Sequence, residues 1–133
     1  MLRSKDNLYQ EIIDFVQNAN DLIILAPYIK HDPLEELLRH TNAKSICIVT
    51  SWKPRDVKFG SSDLSVYELC KSNDIKLYIN NNIHLKVITK NNISSCIVSS
   101  ANISDRGLGI NQLFNYEMGA IISNPTDKDI IYL

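Results

Sequence analysis

The apolar residues of the chain follow a helical period in some segments and form short continuous runs in others. A helix over residues 5–18 is predicted by four apolar residues at helical spacing: Leu8, Ile12, Phe15 and Val16. The run at 22–26 is typical of a strand covered on both faces, and the run at 46–49 of another buried strand. A further strand is predicted at 75–79.

Two more helices are predicted between these strands. The first has Asp32 as its N-cap, Pro33 at its first helical position and Glu35 to complete a capping box. The second covers 63–71 and follows a loop at 53–62. The resulting order, α-β-α-β-α-β, predicts an α/β fold with a mixed, largely parallel sheet flanked by helices.

The pattern changes from residue 83 onward. Two β-rich runs, 83–90 and 94–102, flank Asn91-Asn92-Ile93 and predict a β-hairpin. A polar loop then leads to a last strand near 116–123, and 124–127 begins a helical pattern that does not continue. We therefore expect one domain over residues 1–133 and leave open whether it is part of a longer chain.

The composition is that of a globular protein. The chain has 133 residues, of which 44% are hydrophobic and 22% charged. Its three cysteines are too few and too far apart for a disulfide framework or a zinc site, so we expect them to act as small hydrophobic residues. No run is long enough to cross a bilayer, and the N-terminus does not resemble a signal peptide, so we expect a cytoplasmic protein without a membrane partner.

Charge is distributed unevenly along the chain. The net charge is -1, but residues 44–90 carry eight basic and four acidic side chains, a net charge of +4. Five basic residues of this segment are expected to face an anion: Lys53, Arg55, Lys58, Lys86 and Lys90. The segment is compatible with a polyanionic partner, although solvated surface charge is the alternative for any single lysine.

The hairpin carries the side chains with catalytic potential. His84 and Lys86 lie two residues apart on one predicted strand, and Ser100 and Asn102 lie two apart on the next. A three-residue turn would pair residue 84 with residue 100 and place all four side chains on one face. A two-residue turn would pair 84 with 99 and separate them, and spacing alone leaves both registers open.

These segments resemble the motif of the phospholipase D superfamily, H-x-K-x-x-x-x-D followed by G-S-x-N. The matching segments are His84-Leu85-Lys86 and Ser99-Ser100-Ala101-Asn102. Two later segments, 104–107 and 115–119, resemble the arginine–glycine turn and the late-strand glutamate of that family, and 26–29 resembles the segment after its first strand. The sequence departs from the pattern at Asn91, at Ser99 and in a gap that is one residue longer.

The resemblance implies a metal-independent phosphodiesterase that needs no cofactor. His84 would attack phosphorus and form a phosphohistidine, while Lys86 and Asn102 bind the phosphate oxygens and Ser100 steadies them. Glu117 would orient His84, with a surface carboxylate as the alternative. Because the family uses two histidines and this chain has one motif, the resemblance implies a homodimer that shares one site.

A nuclease acting on DNA or RNA is the favoured function, for example the catalytic part of a restriction endonuclease whose recognition domain lies elsewhere. The nucleic-acid-binding residues would be Lys53, Arg55, Lys58, Lys90 and Arg106, although Arg106 is equally suited to stabilising its turn. Two alternatives stay open. One is a non-catalytic nucleic-acid-binding or dimerisation module, and the other is a phospholipase or phosphatidyltransferase.

Overall fold

Seven strands of the chain hydrogen-bond into one mixed sheet. A computed structural model describes residues 2–110 and 115–126. In chain order its elements are β1 (Leu2–Ser4), α1 (Lys5–Gln17), β2 (Asp21–Leu25), α2 (His31–Arg39), β3 (Ser45–Thr50), α3 (Pro54–Lys58), α4 (Val66–Ser72), β4 (Lys76–Ile79), β5 (Val87–Lys90), β6 (Ser95–Ser99), α5 (Asp105–Leu108) and β7 (Met118–Ser123).

The strand order is β1-β7-β6-β5-β2-β3-β4. Among these seven strands, the pairs β2–β3 and β3–β4 are parallel, and the other pairs are antiparallel. The α/β class is confirmed, but the parallel part is smaller than predicted because the second half of the chain returns through antiparallel pairings. One end of the sheet therefore contains the carboxyl ends of β2, β3, β4 and β6 together with the amino ends of β5 and β7. This end, which runs across the strands, is here called the carboxyl edge.

One face of the sheet forms the core. A row of aligned isoleucines on four neighbouring strands lies on this face: Ile24, Ile48, Ile88 and Ile97. They join one buried cluster with apolar residues of α1, α2 and α4, among them Leu8, Leu37 and Val66. This burial fixes the register of the sheet, since a slip of one residue would turn each row to the other face.

The second face of the sheet is less completely covered. Its aligned row is Leu25, Val49, Val87 and Val98. Leu25 and Val49 are half-buried and Val98 is 40% exposed, whereas Val87 is buried. The prediction that the strand at 22–26 is buried on both faces is therefore wrong in degree, because burial along β2 alternates between full and partial.

The start of α2 differs from the prediction. The helix begins at His31 after Lys30, and no side chain of the N-cap residue closes it, so neither Asp32 nor Glu35 forms the predicted capping box. Instead Asp63 Oδ2 accepts from the His31 backbone N–H at 2.8 Å, and Asp63 Oδ1 accepts from Lys30 Nζ at 2.7 Å. Burial opposes ionisation of Asp63, but these hydrogen bonds and the positive charges beside it bring its pKa below the ordinary value.

The predicted loop at 53–62 contains the short helix α3. Pro54 stands in the first turn of that helix, where its missing N–H costs nothing, and the helix gives way to Gly60 at φ +81°. The next helix, α4, starts at Val66 rather than at 63, because residues 63–65 form the turn that holds Asp63 against α2.

The cysteines behave as predicted at the two buried positions. Cys70 and Cys96 are buried, whereas Cys47 is half-buried. Burial raises the pKa of Cys70 to about 11. No helix within 2–110 and 115–126 is long and apolar enough to span a membrane. Residues 124–126 are not helical, and the remainder of the helix predicted from 124–127 lies outside the described residues.

Candidate active site at the carboxyl edge

The turn between β5 and β6 has four residues, 91–94, so both predicted turn lengths are wrong. Lys90 pairs with Ser95, and the three turn residues Asn91, Asn92 and Ile93 have left-handed φ angles of 54°, 56° and 61°. Contacts to the start of β2 fix this shape. The Asn20 backbone N–H donates to Asn91 Oδ1 at 2.8 Å, and the Asn92 N–H donates to Asp21 Oδ1 at 3.0 Å.

His84 and Lys86 lie before β5 rather than on it, because the strand predicted at 83–90 begins at Val87. The Ser99 N–H donates to the Lys86 carbonyl at 3.1 Å, which extends the pairing with β6 by one bond. The Lys86 ammonium folds back to the His84 carbonyl at 3.3 Å. The four side chains therefore do not form the predicted two-strand surface.

An asparagine turn after β4 leads the chain to His84. The Asn80 N–H donates to the Thr50 carbonyl at 2.8 Å, and Asn81 Oδ1 accepts from the Trp52 N–H at 2.8 Å. His84 then lines a cavity of about 470 Å³ together with Leu25 and Val49 of the second sheet face. His84 therefore lies at the carboxyl edge, on the second face.

Ser100 and Glu117 are in direct contact at the same edge. The Ser100 hydroxyl donates to Glu117 Oε2 and accepts from the Met118 backbone N–H at 3.1 Å. Glu117 Oε1 accepts from Asn115 Nδ2 at 3.4 Å. Because Ser100 comes two residues after Val98, alternation along β6 directs its side chain to the second face, as for His84.

Asn102 is positioned by two backbone segments. Its Oδ1 accepts from the Tyr28 backbone N–H at 3.3 Å, and a parallel bridge joins Ile29 to Ile103 next to it. On the other side Gly107 approaches so closely that a Cβ there would lie 2.3 Å from the Asn102 carbonyl oxygen. This segment after β2 and the glycine turn thus hold Asn102 at the carboxyl edge.

The structure brings some predicted residues into contact and leaves others apart. Glu117 contacts Ser100 and Asn115, and the His84 ring has no hydrogen-bond partner among the residues that the structure describes. The predicted orienting contact between Glu117 and His84 is therefore not formed in this structure. Asn115 was missed as a site residue, although its position two residues before Glu117 was a usable signal.

The predicted basic residues divide between the two edges of the sheet. Lys53, Arg55 and Lys58 are exposed around α3, which follows the carboxyl end of β3, and Arg106 is exposed in α5. Lys90 ends β5 at the opposite edge. Its ammonium donates to the Phe15 carbonyl at 3.1 Å and lies 4.4 Å from the Phe15 ring centroid, so the structure does not group Lys90 with the others.

Solved structures share this fold. Nuc from Salmonella typhimurium, described as a phospholipase D family member, matches 93% of the chain and 83% of its own at 14% identity and a TM-score of 0.68. NucT from Helicobacter pylori matches 98% and 91% at 14% identity and a TM-score of 0.64. Phosphatidylserine synthase from Haemophilus influenzae matches 96% and 34% at 14% identity and a TM-score of 0.72.

These structural neighbours belong to the phospholipase D superfamily. The fold predicted from the motif resemblance is thereby confirmed: the chain has a phospholipase D-like fold. No protein-family model matches the sequence, and a search of curated proteins finds no match. The chain covers only about a third of the synthase, whereas it covers most of Nuc and NucT.

Proposed function

We propose that the protein is a phosphodiesterase that cleaves nucleic acid without a metal ion. The observation that carries this proposal is the gathering of motif residues in a phospholipase D-like fold. His84 lies at the carboxyl edge of the sheet, and so do Ser100 and Asn102, which follow it after the β5–β6 hairpin. Ligands of open α/β sheets bind outside the carboxyl ends of the strands, which is where these side chains lie.

His84 is the proposed nucleophile. Its ring has no hydrogen-bond partner among the described residues, so an imidazole nitrogen is available to attack phosphorus. A P–N bond forms and the P–O bond to the leaving nucleoside breaks, and the leaving oxygen takes a proton from a second histidine. Water then attacks the phosphohistidine, gives its proton to that second histidine and releases the free phosphate end.

The second histidine is the His84 of another copy of the chain. A two-fold arrangement brings two identical histidines to opposite sides of one phosphate, because an isologous contact repeats each residue about the axis. His84 and Ser100 both lie at the carboxyl edge on the second sheet face, so this face is where we place the partner.

Charge on the phosphate oxygens is proposed to be stabilised by Lys86 and Asn102. The Lys86 ammonium donates to the His84 carbonyl at 3.3 Å, so it lies beside the residue at which we place the phosphate. Ser100 and Asn115 hold Glu117 in the described state, which makes Glu117 a support for Ser100. Lys86 and Asn102 are donors of the kind that stabilise charge developing on phosphate oxygens, and such donors account for much of the rate gain in phosphoryl transfer.

The nucleic-acid partner is proposed from the exposed basic residues of the carboxyl edge. Lys53, Arg55 and Lys58 lie around α3, and Arg106 lies in α5. Cations on this edge attract a polyanion to the catalytic residues. The role as the catalytic part of a restriction endonuclease stays a hypothesis, and its recognition domain would lie outside these residues.

The test is cleavage of plasmid and single-stranded DNA in excess EDTA. Wild type is expected to cleave, His84→Ala is expected to lose activity by several orders of magnitude, and both should have the same melting temperature. His40→Ala is the matched control, because His40 is exposed at the end of α2 and its ring contacts only Glu36 among the described residues. Cleavage by His84→Ala, or cleavage that requires added metal, contradicts the proposal.

A non-catalytic binding or dimerisation module is the second candidate. It is favoured because Glu117 hydrogen-bonds to Ser100 and Asn115. As a result, no carboxylate among the described residues orients His84 in this structure. This candidate predicts DNA binding or dimerisation that persists in His84→Ala, with no cleavage by either protein. Hydrolysis of phospholipid vesicles, assayed under the same conditions, would instead support the phospholipase alternative.

A further inference from the structure

A second cavity adjoins the candidate active site. It is here called the Tyr28 cavity, has a volume of about 380 Å³ and is lined by residues that include Tyr28, Asn102, Ser104, Arg106 and Asn115. We propose that it binds one unpaired nucleotide next to the scissile phosphate, so that the preferred substrate is single-stranded nucleic acid. This inference rests on the proposed function for the identity of the substrate.

The cavity shares residues with the candidate active site. Asn102 is a proposed phosphate ligand and also lines the cavity, and its Oδ1 is held by the Tyr28 N–H at 3.3 Å. Asn115 lines the cavity and contacts Glu117, which in turn contacts Ser100. A phosphate bound at Asn102 therefore places its neighbouring nucleoside at the mouth of this cavity.

The lining of the cavity suits a base and a phosphate. Tyr28 offers a half-buried aromatic ring, and base–aromatic stacking tolerates any sequence because each base has a π-face. The positive charge of Lys30 is paired with Asp63 at 2.7 Å, whereas Arg106 is exposed and has no ion pair among the described residues. Arg106 is therefore the cation available for a flanking phosphate.

The size of the cavity suits one nucleoside. Pockets for small ligands run from about 300 to 1,000 Å³, so a volume of about 380 Å³ fits one nucleoside. A base inside a duplex would first have to leave its stack, which costs free energy, whereas an unpaired base enters without that cost. The geometry thus predicts discrimination against duplexes at the binding step.

The rim of the cavity continues towards α3. Gly60 and Ser61 line it on that side, and the exposed Lys58 lies two residues before Gly60. A strand that leaves the cavity in this direction passes the basic residues Lys53 and Arg55. This continuity gives the flanking nucleotides an electrostatic path along the carboxyl edge.

The test is binding of fluorescent oligonucleotides, measured by anisotropy in EDTA. It uses the full chain carrying His84→Ala, so that cleavage does not interfere. A single strand of about 15 nucleotides is expected to bind about tenfold more tightly than the matching duplex. Tyr28→Ala should lower single-strand affinity about tenfold and leave duplex affinity unchanged, and Tyr28→Phe should restore it.

Arg106→Ala should reduce the slope of log affinity against log salt by about one, because one phosphate contact is lost. Lys44→Ala is the matched control, since Lys44 is exposed at the amino end of β3, on the opposite edge of the sheet, and should change neither quantity. Melting temperatures of all variants exclude loss of the fold as the cause.

Equal affinity for single strand and duplex, or a Tyr28→Ala variant that binds as the parent does, overturns the cavity inference and leaves the proposed function in place. Absence of binding to any nucleic acid overturns both. Selective single-strand binding that depends on Tyr28, together with a wild-type protein that does not cleave, supports the cavity and contradicts the proposed hydrolysis.

Discussion

At the scale of the residue, Gly107 shows how a position without a side chain sets the site. A Cβ at Gly107 would lie 2.3 Å from the Asn102 carbonyl oxygen and 2.9 Å from Ser104 Oγ. We expect Gly107→Ala to destabilise the protein by about 1–3 kcal/mol, as overpacking does. Because Asn102 must move, cleavage should fall by at least about tenfold beyond the loss of folded protein. Urea unfolding and kcat measured on the folded fraction check this.

Gly60→Ala is the comparison for that variant. Gly60 has φ +81°, and a Cβ at this position would meet no atom within 4 Å, so the substitution introduces only backbone strain. A cost of about 1 kcal/mol is expected from this strain. A Gly107→Ala protein as stable as Gly60→Ala, with unchanged kcat, would show that the close approach to Asn102 is not required.

Ile93 has backbone strain in the wild-type protein, so a substitution there can relieve strain rather than introduce it. It is a β-branched residue with φ 61° in the turn between β5 and β6, where left-handed backbone costs an L-residue about 1–2 kcal/mol. Asparagine tolerates this region, as Asn91 and Asn92 do beside it. Ile93→Asn is therefore expected to raise the free energy of unfolding by about 0.5–1 kcal/mol, measured in urea.

The same substitution at Ile83 separates strain from burial. Ile83 is half-buried, as Ile93 is, but it is not among the described residues with positive φ. Ile83→Asn therefore relieves no backbone strain and should lower stability. Destabilisation of similar size at both positions would contradict the assignment of strain to Ile93.

The sequence was informative about the identity of site residues and less so about their contacts. The motif singled out His84, Ser100 and Asn102, and the structure places all three at the carboxyl edge. The partner of Glu117 was predicted as His84, but Glu117 contacts Ser100 and Asn115. The irregular backbone before β7 decides which neighbour the Glu117 carboxylate reaches. No residue pattern encodes the distance from that carboxylate to His84 or to Ser100.

At the scale of the element, the longer helices and the buried strands could be predicted, but features fixed by distant residues could not. Apolar periodicity located α1 and β3 to within two residues at each end. The start of α2 was misjudged because its first N–H group is satisfied by Asp63, far along the chain, and not by a local cap. The turn 91–94 was misjudged likewise, since Asn20 and Asp21 shape it from another strand.

The contact of Asp63 with α2 predicts a pH-dependent stability. Asp63 accepts hydrogen bonds from His31 and Lys30, and its pKa lies below the ordinary value of 3.8. The stabilisation is present above the ordinary pKa and is lost as pH falls through the lower folded value. Asp63→Asn should cost about 1–2 kcal/mol at about pH 7, and the difference from wild type should shrink below about pH 4.

Urea unfolding at several pH values between about 7 and 3 measures this difference. Asp32→Asn is the control, since the Asp32 side chain is 90% exposed and, within the part of the chain that the structure describes, hydrogen-bonds only to His31 Nδ1. It should change stability by less than about 0.5 kcal/mol. A larger loss of stability in Asp32→Asn than in Asp63→Asn would support the local capping box and refute the stabilisation of α2 by Asp63.

At the scale of the whole molecule, the sheet order makes one edge of a mixed sheet into a site. The carboxyl ends of β2, β3, β4 and β6 converge there, and so do the residues before β5 and β7. The alternation of elements predicted the α/β class, but the antiparallel half follows from pairings between distant strands. Lys90 illustrates the consequence, because sequence proximity to the motif grouped it with residues that the topology puts at the opposite edge.

The proposed use of two His84 residues in one site predicts how mixtures of subunits behave. Wild type and His84→Ala, unfolded together in equal amounts and refolded, form random pairs of which about a quarter contain two intact histidines. If one site needs both, activity should be about a quarter of that of the same total amount of wild type. Subunits that act alone would retain about half of that activity.

Light scattering should show dimers in each sample, and a mixture of wild type with Lys44→Ala should keep full activity. A monomer at all concentrations, or activity that falls in proportion to the wild-type fraction, would refute the shared site.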